Sequence, residues 1–301
     1  MAAMDVPSER EMVLDAVSNN GYLLAHISAR LQYDREIVLA AVRENGIALM
    51  YAPVELQNDR EIVINAVIQN GMALEYASAT LQNDYEILLE AAKQDESLLL
   101  RASTQEFFDR REIVLLAVEL YGHLLQYASV PLKNDRKIVM KAVRQNGKAL
   151  EYASNEIKDN RDIVLEAVRQ NGTALQSASV PLRDDRRILL EAVRQNGMAL
   201  QHASEMLKND REVVFNAVDQ NANALRWAST ALRNNEEIVL EAVRKNGRAM
   251  QYASEALKND PEFMIRAIRI DHNAMLSASA ELSSNSEVVN ELGRKLGVWK
   301  T

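Results

Sequence analysis

The chain has 301 residues, no cysteine and a formal net charge of −8. Without cysteine, disulfides, thiolate metal sites and a cysteine nucleophile are excluded. The acidic balance argues against a general nucleic-acid binder, because such proteins carry a basic excess. A single core rarely grows to this length, so we expect either two domains or an array of repeats.

The hydropathy of the chain predicts neither secretion nor membrane insertion. Its N-terminal residues, MAAMDVPSER, lack a basic region followed by an apolar run, so we expect no signal peptide and a cytoplasmic location. No stretch of about 20 apolar residues occurs, so we expect no membrane span.

A repeat of 25 residues organises the sequence. One copy, from Asp185 to Asn209, reads DRRILLEAVRQNGMALQHASEMLKN. Eleven copies follow one another, and only the step from Asp84 to Arg110 is 26 residues long. Their first residues are Glu9, Asp34, Asp59, Asp84, Arg110, Asp135, Asn160, Asp185, Asp210, Asn235 and Asp260. A half repeat occupies residues 285–301, and we expect it to cap the array.

Each repeat predicts the same elements in the same order. A cap-forming residue such as Asn134 should begin the first helix, and an acid three residues later should complete a capping box, as in Ser8 and Glu11. Asn-Gly then ends the helix, with the glycine in the left-handed conformation. A second, shorter helix follows, and proline closes it, as at Pro131 and Pro181.

These elements predict an all-α fold. No repeat has enough apolar area to form a core alone, so consecutive repeats must stack. We therefore expect a single α-solenoid over residues 1–301, built from about eleven repeats of helix, Gly turn and short helix. By analogy with other helical repeats, we expect the stack to be superhelical and right-handed.

The repeat pattern weakens at two places. Between residues 95 and 110, Asp95-Glu96 replaces Asn-Gly, and Phe107 and Phe108 are half of the four phenylalanines in the chain. One interpretation is a repaired stacking defect, and the other is a hinge or a contact with a partner. The second departure places Ala222 in the glycine column.

The consensus of the copies, DREIVLxAVxxNGxALxYASxxLKN, resembles the repeat of the family named domain of unknown function 4116. The resemblance covers residues 9 to 284 and is weakest at 95–110 and 260–284. It implies tandem helical repeats of about this length. It brings no catalytic residues and no cofactor to this chain.

Equivalent positions of stacked repeats form columns, so we look for sites in columns. The first candidate, called the Arg column, could bind phosphates or an acidic partner. The alternative is a self-neutralised face, because glutamates lie three residues before three of its arginines, as Glu166, Glu191 and Glu241 do. The Arg column consists of Arg144, Arg169, Arg194 and Arg244.

The second candidate, called the aromatic column, lies on the predicted short helix. Rings with a polar tip are favoured in protein interfaces, and they can also stack nucleic-acid bases. The alternative is that each ring packs against the neighbouring repeat. The aromatic column consists of Tyr127, Tyr152, His202, Trp227 and Tyr252.

Other chemistry finds little support in the sequence. The four histidines lie in different repeats without a metal-binding spacing, and the sequence contains no nucleotide-binding or hydrolase motif. We therefore expect no cofactor, no metal and no catalytic residue. The positions that vary between repeats, such as Met198 and Gln201, are where a partner would be recognised, and the alternative is that these positions are under no constraint.

We interpret the chain as a non-enzymatic protein-interaction scaffold that is monomeric unless it belongs to an assembly. The sequence leaves the identity of the protein partner open, and Phe107 and Phe108 join the two columns as candidate contacts. A structural accessory subunit of a large assembly is the first alternative. Binding of single-stranded nucleic acid through the Arg and aromatic columns is the second, against which the net charge counts.

Overall fold

The computed structural model describes residues 8–102 and 105–295, and over these ranges the secondary structure is helical, without a strand. The chain divides into two compact units, Met1–Tyr121 and Gly122–Thr301, which we call the N-terminal and C-terminal units. The predicted all-α repeat fold is confirmed. The superhelix and its handedness stay predictions.

Each repeat contains three helical elements, and the first is a long α-helix. The long helices are Glu9–Asn19, Arg35–Glu44, Arg60–Gln69, Tyr85–Ala92, Arg111–Leu120, Arg136–Gln145, Arg161–Gln170, Arg186–Gln195, Arg211–Gln220, Glu236–Lys245, Pro261–Ile270 and Ser286–Lys295.

The second element is a six-residue 3₁₀ helix. These are Gly21–His26, Gly46–Tyr51, Gly71–Tyr76, Gly122–Tyr127, Gly147–Tyr152, Gly172–Ser177, Gly197–His202, Ala222–Trp227, Gly247–Tyr252 and His272–Ser277. An α-helix, Glu96–Ala102, replaces the 3₁₀ helix in the repeat that begins at Asp84.

The third element is a single helical turn. These short helices are Ala29–Gln32, Val54–Gln57, Ala79–Gln82, Gln105–Phe108, Val130–Lys133, Asn155–Lys158, Val180–Arg183, Leu207–Asn209, Thr230–Arg233, Glu255–Lys258 and Ala280–Ser283. The predicted repeat of helix, Gly turn and short helix does not include this element. The prediction also placed the end of the second helix too late, because the 3₁₀ helices end at Tyr127 and Ser177, and Pro131 and Pro181 lie in the first turn of the short helices that follow.

The long helices begin one residue later than predicted. The N-cap is Asp135, whose carboxylate accepts the backbone N–H groups of Lys137 and Ile138, whereas Asn134 ends the preceding short helix. An aspartate in the extended conformation satisfies two of the free N–H groups, so it is the better cap. In the first repeat the predicted capping box of Ser8 and Glu11 is confirmed.

The glycines do not end the long helices in the left-handed conformation as predicted. At Gly46 the chain is reversed by Asn45, which is extended at φ −142° and whose side chain accepts the N–H of Ile47. Glycine is needed there for space, because a Cβ at Gly46 would lie 2.2 Å from the carbonyl oxygen of Ala66 in the next repeat. The N–H of Gly46 donates to Oε1 of Gln69, in that same repeat, at 2.5 Å.

Within each unit, consecutive long helices contact one another, and so do consecutive 3₁₀ helices. One face of each long helix is fully buried by this stacking. In Arg161–Gln170, for example, Ile163, Val164, Ala167 and Val168 have no exposed surface. Burying a side chain of the size of valine or isoleucine contributes about 1.5–3 kcal/mol. The core is therefore continuous along the stack of each unit.

Ion pairs join the long helices of consecutive repeats at their N-terminal ends. Arg35 Nε lies 2.8 Å from Oδ2 of Asp59, the N-cap of the next repeat, and its Nη2 also pairs with Glu61. Arg186 pairs in the same way with Asp210 at 2.8 Å and with Glu212. The same type of pair joins Arg10 to Asp34, Arg60 to Asp84, Arg136 to Asp162, Arg161 to Asp185, and Arg211 to Glu237. The sequence predicts the residue before most of these aspartates as the cap, and it does not predict these arginine partners.

Both departures from the pattern have a packing explanation. Phe107 and Phe108 are buried in the N-terminal unit, with ring centroids 5.2 Å apart in an edge-to-face arrangement. In the C-terminal unit, Ala222 takes the glycine position, and Lys245 stands where most repeats place glutamine. Lys245 Nζ pairs with Asp219 Oδ1 at 2.6 Å instead.

A methyl group at Gly46 should destabilise the protein far more than one at Gly71. We expect Gly46→Ala to lower the free energy of unfolding by about 1–3 kcal/mol, because the backbone must shift to make room. At Gly71 the nearest atoms to a Cβ are Leu98 Cδ1 at 3.0 Å and Ala91 O at 3.1 Å, so Gly71→Ala should stay within about 1 kcal/mol of the wild type. Urea unfolding followed by circular dichroism measures both, and equal effects would contradict this account of the glycine column.

Acid should weaken the joints between repeats. Hydrogen bonds from Arg10, Arg35 and Arg186 hold the pKa values of Asp34, Asp59 and Asp210 below the ordinary value. A carboxyl whose pKa is lower in the folded than in the unfolded state stabilises the fold above its unfolded pKa, near 3.9, and loses this contribution as the pH falls through its folded pKa. We therefore expect the urea midpoint to fall steadily below about pH 4.

The matched variants for this prediction remove arginines with and without a partner. Arg35→Gln with Arg186→Gln should flatten the dependence of the urea midpoint on pH between pH 4 and pH 2, because the aspartates then return toward their ordinary pKa. Arg169→Gln should leave it as in the wild type, since Arg169 forms no ion pair with any residue that the structure describes. An unchanged acid response in the double variant would be the contrary result.

Candidate functional site

The Arg column lies in the last turns of the long helices of the C-terminal unit. The predicted pairing within one helix occurs at Arg244, which binds Glu241. Arg144 instead reaches Glu166 of the next repeat, with Nε 3.3 Å from Oε1. Because Glu166 faces Arg144, the predicted pair with Arg169 does not form. Arg169 and Arg194 are exposed and make no ion pair with the residues that the structure describes.

The aromatic column occupies the last residue of five of the six 3₁₀ helices from Gly122–Tyr127 to Gly247–Tyr252, and Ser177 holds this position in the sixth. Four of its side chains are half-buried, and Tyr127 is 40% exposed. The guanidinium carbon of Arg226 lies 4.6 Å from the centroid of the Trp227 ring, which is cation–π distance. Nε1 of Trp227 is buried without a hydrogen-bond partner. The rings thus pack against the protein with one part and remain accessible with the other.

The structure does not bring the Arg column and the aromatic column together. The Arg column precedes the 3₁₀ helices and the aromatic column ends them. Six residues of 3₁₀ helix span about 12 Å, at about 2 Å per residue. The positive charges near His202 belong to Arg183 and Lys208. Together with burial, which has the largest effect, they lower the pKa of its imidazole.

Arg183 and Lys208 belong to a third column, which we call the cation column. Its members stand at the end of the short helical turns in six consecutive repeats of the C-terminal unit, and all are half-buried. They are Lys133, Lys158, Arg183, Lys208, Arg233 and Lys258. This column was not predicted, although its signal is present in the LKN that recurs at the end of the consensus.

The surface of the long helices carries two open grooves beside Phe215. Their volumes are about 520 and 360 Å³, and Phe215 lines both. Glutamates surround them, yet each is held by an arginine. These pairs are Glu212 with Arg186, Glu236 with Arg266, Glu237 with Arg211, and Glu241 with Arg244. Three of these pairs join consecutive repeats, and the pair of Glu241 and Arg244 lies within one helix, so every glutamate of the rim is already paired.

The remaining predictions concern the two phenylalanines, metal binding and membrane spans. Phe107 and Phe108 lie in the core of the N-terminal unit, at 7% and 5% exposure, so neither ring offers a surface to a partner in this structure. Over residues 8–102 and 105–295, no group of three or more histidine and carboxylate side chains is arranged to hold a metal ion. None of the helices in these ranges combines the length and apolar character that crossing a membrane requires.

Comparison with protein families gives one result. The family model described as Domain of unknown function (DUF4116) matches the chain seven times in tandem, and the longest matches span two of the 25-residue repeats. The matched ranges are 9–57, 59–107, 110–158, 143–183, 160–207, 185–233 and 235–283. No curated protein matches the chain. Since the matches cover most of its length, the chain belongs to this family.

The position of His202 between two cations can be tested directly. We expect its imidazole to titrate below the ordinary value of about 6.5, and Arg183→Gln to raise its pKa because one nearby positive charge is removed. Arg194→Gln is the matched control, because it removes the same charge from the Arg column. Titration of the imidazole proton signals by NMR measures both. If Arg194→Gln shifted the pKa of His202 more than Arg183→Gln, the Arg column and not the cation column would be the neighbour of His202.

Proposed function

We propose that the chain is a non-enzymatic protein-interaction scaffold, and that its C-terminal unit binds a protein partner through the aromatic column. One observation carries the proposal: five of the six 3₁₀ helices from Gly122–Tyr127 to Gly247–Tyr252 present a partly accessible ring at the same structural position, and Ser177 occupies it in the sixth. Tyrosine and tryptophan are enriched where proteins meet, because they bury a large apolar area and keep one polar atom.

The residues usually associated with catalysis have structural roles that support a non-enzymatic function. The aspartates cap the long helices, as Asp185 and Asp210 do, and they bind arginines of the preceding repeat. The asparagines that end the long helices accept backbone N–H groups at the start of the 3₁₀ helices, as Asn196 does from Met198. The side chains that remain for recognition are the partly exposed rings and the variable positions near them, such as Gln201.

Trp227 is the strongest single anchor in this proposal. Its ring is the largest of the aromatic column and lies at cation–π distance from Arg226. Truncating a central tryptophan or tyrosine of an interface often costs about 2 kcal/mol or more, which corresponds to a roughly 30-fold loss of affinity.

The test compares partner capture by two double variants of the full chain in extract from the native cell. We expect Tyr152→Ala with Trp227→Ala to lose the partners that the wild type retains, with affinity reduced at least about 30-fold. The control is Tyr22→Ala with Tyr33→Ala, which removes rings that are 50% and 60% exposed but lie outside the aromatic column. Circular dichroism at the capture temperature confirms that both variants are folded.

Two outcomes would contradict the proposal. If the column variant keeps all partners, the aromatic column is not the interface. If partners are lost only after nuclease treatment, nucleic acid mediates the capture. This second candidate function is favoured by one observation, the closeness of the cation column to His202.

A further inference from the structure

The cation column has no counterpart of the same charge in the N-terminal unit. There the equivalent positions are Gln32, Gln57 and Gln82, whose side-chain amides donate to backbone carbonyls of the 3₁₀ helix before them or of the residue that follows it. The fold therefore needs at this position only a long side chain that can pack along the 3₁₀ helix. The positive charge of the C-terminal unit is an addition that the packing of a repeat does not require.

The charge is left uncompensated in most repeats of the column. Lys208 and Lys258 pair with glutamates three residues earlier, Glu205 at 2.9 Å and Glu255 at 2.8 Å. The corresponding residues of the other repeats carry no charge. They are Val130, Asn155, Val180 and Thr230, three residues before Lys133, Lys158, Arg183 and Arg233. None of these four cations forms an ion pair within 4 Å among the residues that the structure describes.

The carboxylates next to the column in sequence are used between repeats. Asp159 follows Lys158, and Asp184 follows Arg183, and these aspartates accept the hydroxyl groups of Ser179 and Ser204. These hydrogen bonds tie each short helix to the next repeat. Asp159 and Asp184 thus bind the next repeat, and neither forms an ion pair with Lys158 or Arg183.

The same edge also holds unsatisfied hydrogen-bond donors. Nε of Arg183, Nε of Arg233 and Nε1 of Trp227 are buried without a hydrogen-bond partner. All three are N–H groups, and burying a donor without an acceptor costs free energy. These donors lie beneath the surface, so the exposed part of the edge is formed by the other nitrogens of the cations and by the partly exposed rings.

The spacing of the column indicates the form of the ligand. Packed helices lie about 8–10 Å apart, so one cation recurs at about that interval. A peptide in the polyproline II conformation rises about 3.1 Å per residue and repeats its orientation every third residue, after about 9 Å. A carboxylate at every third residue would therefore meet successive cations, and the carbonyl groups between them would offer acceptors. Nucleic-acid binders carry a denser basic stripe and a basic net charge, whereas the cation column has one cation per repeat and the chain a net charge of −8.

We propose that the edge of the C-terminal unit formed by the cation column and the aromatic column binds an extended acidic peptide with a carboxylate at every third residue. The proposal rests on the proposed function as an interaction scaffold and names the chemistry of the partner. The cations select the acidic residues, and the rings of Tyr152, His202 and Trp227 contact the residues between them.

The test measures binding of synthetic peptides to the purified full chain by fluorescence anisotropy. The probe is a labelled peptide of six Glu-Pro-Ser triplets, and its control has the same composition with the six glutamates in one block. We expect the spaced peptide to bind at least ten times more tightly than the blocked peptide. Equal affinity would overturn the proposal, because non-specific attraction does not depend on the order of the residues.

Two triple variants separate this edge from the rest of the surface. Lys158→Gln with Arg183→Gln and Arg233→Gln introduces the residue that the N-terminal unit carries in the same column, so the variant should fold. We expect it to bind the spaced peptide at least ten times more weakly. Arg144→Gln with Arg169→Gln and Arg194→Gln removes the same charge from the Arg column and should change the affinity less than twofold. Equal losses in the two variants would overturn the proposal.

A labelled oligouridine of matched length completes the experiment. Tighter binding of this single strand than of the spaced peptide, with the same dependence on Lys158, Arg183 and Arg233, would overturn the peptide proposal in favour of nucleic acid. The results distinguish failure of the acidic-peptide proposal from failure of the proposed aromatic interface. If the aromatic variants lose their natural partners but the spaced peptide shows no preference, only the acidic ligand is rejected. If the peptide preference holds but those variants keep their partners, the proposed interface fails.

Discussion

The close contact between a glycine of one repeat and an alanine of the next is the constraint on which the packing depends. At Gly46 there is no room for a methyl group against the carbonyl of Ala66, and the N–H of this glycine is held by Gln69. This contact lies near the C-terminal end of the long helix, and the pair of Arg35 and Asp59 lies at the start of the same joint. The glycine contact at one end and the ion pair at the other set the distance and the direction between neighbouring long helices. The buried stripe of valine, isoleucine and alanine can then close between them.

Much of this architecture follows from the sequence, and the errors have identifiable physical causes. The period, the long helix and the reversal at Asn-Gly were predicted because each depends on residues close in sequence. The cap was misplaced by one residue because Asn134 and Asp135 are both good caps, and only the conformation of the backbone distinguishes them. The role of glycine was misassigned because a left-handed turn and a close contact require the same residue. The partner of Arg144 was missed because it lies in the next repeat, beyond the reach of a rule for a single helix.

In the candidate surface, too, some features follow from the sequence and others depend on the three-dimensional arrangement. Reading the sequence in columns correctly predicts which residues recur along one line, such as Tyr152, His202 and Trp227. It does not predict which lines are neighbours, because this depends on how each short element rises and turns. The 3₁₀ helices separate the Arg column from the aromatic column, while the helical turn after them brings Arg183 and Lys208 close to His202. The variation between repeats therefore has meaning only when the elements are placed in space.

The joints between repeats also have a consequence for how such a chain changes its length. Each joint has a fixed offset in sequence, 24 residues both for Arg35 with Asp59 and for Arg186 with Asp210. A repeat with both the aspartate and the arginine, such as the one that begins at Asp59, carries the second half of one joint and the first half of the next, so its duplication during evolution gives each half a matching partner. The joint of Asp219 and Lys245 is different, because Lys245 replaces the glutamine that holds the glycine N–H elsewhere, as Gln69 does for Gly46, and pairs with Asp219 instead. An ordinary repeat placed on either side would lack one member of this pair, so these two repeats are expected to be inherited as a pair.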